Sequence, residues 1–187
     1  MELNIPNTLT LMRILLIPVL VVVFYLPFER HLLAAAGIFT AAAITDWFDG
    51  YLARKLGQMT NFGAFLDPVA DKLMVAVALV LLVERHSNIL FTLAACVIIG
   101  REIVISALRE WMAELGKRTS VAVSYIGKIK TTFQMLAIIG LLAVDPSASD
   151  ENWLLALSYI LLYTAAVLTL WSMVVYLKAA WDVIREQ

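Results

Sequence analysis

The chain has 187 residues, 62% of them hydrophobic and only 16% charged, with a formal net charge of −1 and a mean hydropathy of +0.87. This balance excludes an ordinary soluble domain, suggests no nucleic-acid partner and points to a polytopic membrane protein. The single cysteine, Cys96, excludes an internal disulfide.

A bilayer core of about 30 Å takes about 20 mostly apolar residues per helix. Six segments reach that length: residues 8–28, 31–54, 61–84, 89–113, 124–144 and 153–180. The first contains ILLIPVLVVVFYL and precedes the small-residue stretch AAAG, as a cleaved leader would. FERH, however, interposes charge, nothing basic precedes Arg13, and a second apolar run follows at once, so this helix is expected to be retained. LPFERH, RKLGQM, ERHSN, ELGKRTS and DPSASDEN punctuate the spans. The expectation is an all-α, six-helix membrane bundle forming one domain over residues 1–187.

With both termini in the cytoplasm, that side receives Arg13, Arg54, Lys55, Lys72, Arg101, Arg109, Lys117, Arg118, Lys128, Lys130, Lys178 and Arg185. The other side receives Arg30 and Arg85 alone. Twelve basic residues against two predict N-in, C-in. Trp47, Trp111, Trp153 and Trp181 fall near span ends, where amphipathic rings settle; Trp171 does not.

Four aspartates stand out at the cytoplasmic ends of spans two and three. Asp46 and Asp49 are three residues apart and share a helix face. Gly63, Asp67 and Asp71 follow at intervals of four along one stripe of the next span. Asp67-Pro68 could open a fresh helix, but the even spacing favours one helix through Pro68. The short connection predicts that spans two and three are antiparallel neighbours. Clustered carboxylates near lipid repel one another and lose hydration. Protons or cations relieve this, and two divalent ions would balance four carboxylates. Hard oxygen ligands suit Mg²⁺, Mn²⁺ or Ca²⁺. His31 and His86 fall on the far side, and no thiol is near, which argues against structural zinc. Pairing with Arg54, Lys55 and Lys72 as helix ends would explain one aspartate better than four.

The pattern Asp46-x-x-Asp49-Gly50-x-x-Ala53-Arg54, eight residues, then Gly63-x-x-x-Asp67-x-x-x-Asp71 resembles the signature of the CDP-alcohol phosphotransferases at every fixed position. NIPNTLTLMRILLIPV, GREIVISALREWMAELGKR and YIGKIKTTFQM extend the resemblance over most of the chain. It implies a site for two divalent ions, Mg²⁺ or Mn²⁺, that binds the diphosphate of CDP-diacylglycerol. It implies that Asp46, Asp49 and Asp67 ligate metal, with Asp71 reaching the second ion and acting as base. Gly50, Ala53, Arg54 and Gly63 are implied as the nucleotide cradle, in which small residues admit backbone and arginine forks onto phosphate. Asn7, Thr10 and Arg13 are candidates to touch the nucleotide or to order the helix start. A homodimer in the bacterial inner membrane is also implied.

The acceptor is read from the remaining cations. Arg101 interrupts an apolar run, Arg109 lies eight residues on, and Lys117, Arg118, Lys128 and Lys130 follow on the same side. A phosphorylated acceptor needs such a concentration, whereas serine or choline does not. Lys117 fits better as a residue meeting anionic lipid heads, and Arg101 could pair with Glu102. With the similar segments, the basic residues point to sn-glycerol 3-phosphate, with Arg109, Arg118, Lys128 and Lys130 as phosphate-binding candidates. Rival readings are another alcohol acceptor, a cation-coupled transporter and a lipid-binding scaffold. A transporter predicts acids spread through the membrane depth rather than gathered on one side.

Overall fold

A computed structural model describes residues 5–56, 60–114, 125–146 and 152–185, and every element among them is helical. In chain order these are α1 (Ile5–Tyr25), α2 (His31–Leu56), α3 (Asn61–His86), α4 (Ile89–Glu114), α5 (Tyr125–Ala143) and α6 (Asn152–Arg185). All six predicted segments are helices. Two compact units emerge: residues to His86 with Ile138–Leu155, and Ser87–Ala137 with the chain from Ala156.

Three helices are long and apolar enough to cross a bilayer: Asn7–Tyr25, Ile89–Met112 and Trp153–Lys178. His31–Asp46 and Ile129–Ala143 are shorter apolar stretches. The 26-residue α3 misses that class because Asp67, Asp71, Lys72, Glu84 and Arg85 interrupt it. At 1.5 Å per residue the 34-residue α6 is about 51 Å long, so its ends outrun a hydrocarbon core of about 30 Å. Leu15, Val19, Val22, Ile103, Val167 and Trp171 are exposed, as lipid-facing residues are.

In the first unit α1 lies against both α2 and α3, while α2 and α3 touch each other far less among the described residues. The expected α2–α3 neighbours are therefore joined mainly through α1. Buried Ala35, Ala42, Ala70 and Ala78 allow close helix approach around Leu20, Phe39 and Leu79. α3 runs unbroken through Pro68, so Asp67 does not open a helix. Thr60 does: its Oγ1 accepts the Gly63 amide at 3.0 Å, satisfying one of the free N–H groups of the first turn. At the far end of this unit Arg85 pairs with Asp145 at 3.0 Å and lies over Phe24.

In the second unit Asn88 caps α4 by accepting the Leu90 amide at 2.8 Å. Phe91 meets Tyr159 edge-on and Tyr159 stacks on Tyr163, each at 6.0 Å between ring centres. Ile98, Ile105 and Leu162 fill the core below them.

Candidate active site

α1 carries three buried polar residues at successive intervals of three: Asn7, Thr10 and Arg13, each 5% exposed or less. Such spacing draws a slanting stripe on one side of a helix. Each member meets a residue at the acid-bearing ends of α2 or α3. Thr60 Oγ1 donates to Asn7 Oδ1 at 3.0 Å. Thr10 Oγ1 donates to Asp67 Oδ1 at 2.5 Å. Arg13 Nη1 donates to Asp46 Oδ1 at 2.6 Å, with the arginine side chain 2% exposed and the aspartate 41%.

These contacts explain how an acid is tolerated beside lipid. A buried guanidinium is costly unless paired, and Asp46 pairs it while keeping an open side toward solvent. Asp67 is half-buried and held by a hydroxyl, and Asp71 lies four residues further along α3, also half-buried. Asp49 lies on helical backbone three residues after Asp46, but its side chain lies outside the described residues. Among the described residues no three histidine, cysteine or acidic side chains gather closely enough to hold a metal ion. The donors present are carboxylates with no imidazole or thiol between them, a set whose chemistry fits hard divalent cations.

Gly63 is required by a close approach. A Cβ there would lie 2.5 Å from Asn7 Oδ1 and 3.2 Å from Thr60 Oγ1. The crowding atoms belong to α1 and to the α3 cap. The side chains of Arg54, Ala53 and Lys128 and the surroundings of Gly50 lie outside the described residues, as does Arg118 altogether.

The second unit holds a polar cluster of its own. Glu102 Oε1 accepts from Arg101 Nη1 at 2.7 Å and from Lys130 Nζ at 3.0 Å. Lys130 is 3% exposed and Arg101 9%, so one carboxylate neutralises part of two buried cations. Arg101 Nη2 also donates to Ser172 Oγ at 3.3 Å. Its guanidinium lies 5.7 Å from the centre of the Tyr176 ring, and that of Arg109 lies 5.5 Å from it. Of the four phosphate-binding candidates, Lys130 is thus buried on Glu102 and Arg109 is exposed on Tyr176. The Arg101–Glu102 pair that the sequence left open forms.

Sequence reasoning missed Thr60, Ser172 and Tyr176. Thr60 was findable as a hydroxyl residue just before a helix. Ser172 and Tyr176 are spaced as neighbours on α6, but nothing in that apolar run says which face meets cations.

A family model described as CDP-alcohol phosphatidyltransferase matches residues 3–171. A CDP-diacylglycerol–glycerol-3-phosphate 3-phosphatidyltransferase of Yersinia enterocolitica serotype O:8 / biotype 1B is 59% identical over 186 residues, 100% of both chains. A protein of the same name from Salmonella choleraesuis is 59% identical over 180 residues, 96% of both chains.

Proposed function

The chain belongs to the CDP-alcohol phosphatidyltransferase family, and we propose that it transfers the phosphatidyl group of CDP-diacylglycerol to sn-glycerol 3-phosphate, releasing CMP. The observation that carries this is full-length identity of 59% to a relative named for that reaction, with the acid signature intact from Asp46 to Asp71.

The acceptor hydroxyl oxygen forms a bond to the lipid-side phosphorus, the bond from that phosphorus to the CMP oxygen breaks, and the hydroxyl proton goes to Asp71. Asp71 serves because an ionised carboxylate beside the attacking oxygen takes a proton as the new bond forms. Asp46, Asp49, Asp67 and Asp71 would hold two divalent ions, Mg²⁺ or Mn²⁺, which would supply charge neutralisation for the diphosphate and the departing CMP. Gly50, Ala53 and Gly63 let the nucleotide approach backbone, and Arg54 forks onto phosphate oxygens. Arg109, Arg118, Lys128 and Lys130 bind the acceptor's own phosphate. Because Lys130 is already shared with Glu102, its contribution is to the field of the cluster, and Arg109 is the better direct contact.

The chain works as one membrane domain over residues 1–187 in the bacterial inner membrane. It has six spans, both termini and the acid cluster face the cytoplasm, and the enzyme is a homodimer. The twelve-to-two distribution of basic residues supports the orientation.

Purified protein supplied with CDP-diacylglycerol and Mg²⁺ should release CMP with sn-glycerol 3-phosphate and not with serine, inositol phosphate or glycerol. Turnover with one of the others in its place would assign a different acceptor. Full turnover in excess chelator would remove the divalent ions.

A further inference from the structure

We propose that the buried stripe of α1 is the positioning element of the carboxylate site. Thr10 and Arg13 each fix one oxygen of an aspartate so that its other oxygen is presented to a divalent ion, and Asn7 sets the register of α3 against α1. The idea rests on the two-ion site proposed above.

The contacts divide each carboxylate in the same way. Asp67 Oδ1 accepts from Thr10 and Asp46 Oδ1 accepts from Arg13. Each of these contacts is made to Oδ1 and does not use Oδ2. One oxygen of each is held by α1, and in the proposed arrangement the second meets the ion. The donors are dry, with Thr10 and Arg13 both 1% exposed, whereas the Asp46 side chain is 41% exposed.

Burial also separates this role from nucleotide contact. A side chain 1% exposed and directed onto an aspartate offers no surface to a ligand. An apolar stripe would pack a span just as well without the desolvation cost of three polar groups, so the polar choice follows from what the stripe holds. Arg13 adds a permanent positive charge beside Asp46 and thereby reduces repulsion among the acids. Asn7 accepts from Thr60, whose oxygen in turn accepts the Gly63 amide. That chain of bonds pins the first turn of α3 four residues before Asp67, so a slip of α3 would move Asp67 away from Thr10.

Groups that orient metal-binding side chains typically change metal affinity or activity by roughly 10–100-fold when removed. The test compares Thr10→Val, which keeps shape and loses the hydroxyl, with Thr10→Ser, which keeps the hydroxyl. Arg13→Lys keeps charge but shortens the reach. Each variant is purified in detergent and checked for a wild-type elution profile and thermal midpoint. Mn²⁺ binding is then counted by electron paramagnetic resonance without substrate, beside kcat and the KM for sn-glycerol 3-phosphate.

Thr10→Val should weaken Mn²⁺ binding about tenfold or more and lower kcat, with the acceptor KM within about twofold. Thr10→Ser should restore both, and Arg13→Lys should shift Mn²⁺ binding in the same direction as Thr10→Val. A folded Thr10→Val protein with wild-type Mn²⁺ binding overturns the proposal, as does Thr10→Ser behaving like Thr10→Val. If Thr10→Val does not fold, Arg13→Lys and Thr10→Ser decide: wild-type Mn²⁺ binding in Arg13→Lys, or impaired binding in Thr10→Ser, overturns it. Wild-type protein assayed in chelator keeps the two questions apart, since undiminished activity there removes the ion site itself.

Discussion

The guanidinium of Arg109 lies 5.5 Å from the centre of the Tyr176 ring and donates from Nη2 to the Tyr176 hydroxyl at 3.3 Å. An exposed arginine is thereby given one preferred position, and the same ring also carries Arg101. Two like charges beside one aromatic ring are tolerable because Glu102 neutralises part of Arg101.

A cation over an aromatic face at an exposed site gains about 0.5–1 kcal/mol, or about two- to fivefold in an equilibrium. Tyr176→Leu should therefore raise the KM for sn-glycerol 3-phosphate about two- to fivefold with kcat nearly unchanged. Tyr176→Phe, which keeps the face, should do less. Arg109→Ala should raise that KM further and leave the KM for CDP-diacylglycerol alone. Steady-state kinetics with each substrate varied in turn checks all three, and a change confined to kcat would remove Arg109 from the acceptor's phosphate.

Glu102 is the hinge of the same cluster's stability. Replacing it with glutamine takes from buried Lys130 and Arg101 their counter-charge among the described residues, and breaking a buried pair from one side costs about 3–5 kcal/mol. Partial exposure of the Glu102 side chain, 28%, puts the expected loss at the lower end. Glu102→Gln should lower the thermal midpoint in detergent, and adding Lys130→Met should recover part of it without restoring the acceptor KM. No recovery in the double variant would mean that the loss does not come from the stranded lysine.

All six helices were legible in the sequence because apolar runs of span length need no tertiary information. The acid pairs were legible for a related reason: an ionisable group in such a run is costly enough to demand an explanation. Asn7, Thr10 and Arg13 show where that logic stops. Their helical spacing was visible, but whether they meet a ligand or the protein's own carboxylates depends on which neighbour α1 chooses. The structure turns Thr10 onto Asp67 and Arg13 onto Asp46. Gly63 was marked for close backbone approach, and the neighbour it meets is Asn7. Tyr176 was illegible because α6 is apolar on nearly every side, so its period does not reveal which face meets Arg101 and Arg109.

Asp67 and Asp71 sit one turn apart on α3 yet should fail differently. Asp71→Asn removes the proposed base while keeping shape, so turnover should fall at least 100-fold, the low end of the roughly 10²–10⁴ typical of positioned acid–base groups. Binding of CDP-diacylglycerol should weaken far less. Asp67→Asn should instead raise the metal concentration needed for half-maximal rate as well as lower the rate. Titrating Mg²⁺ at saturating lipid separates the two. Indistinguishable Mg²⁺ curves, differing only in height, would remove the division of labour between them.

His86, two residues past the predicted third span, supplies a pH dependence unrelated to the chemistry. Burial, then the neighbouring charge of Arg85, lowers its pKa from 6.5 to about 4, so it is neutral in the folded protein near pH 7. In the unfolded chain it titrates near 6.5. As pH falls from 6.5 toward 4 the unfolded state takes up a proton that the folded state refuses, and stability declines through that window. Above it the group makes no difference, and because the ring is only half-buried solvent screening reduces the effect. Thermal midpoints measured from pH 7.5 to 4.5 should fall more steeply in the wild type than in His86→Gln, whose side chain stays neutral throughout. Parallel curves would show that the acid sensitivity arises elsewhere.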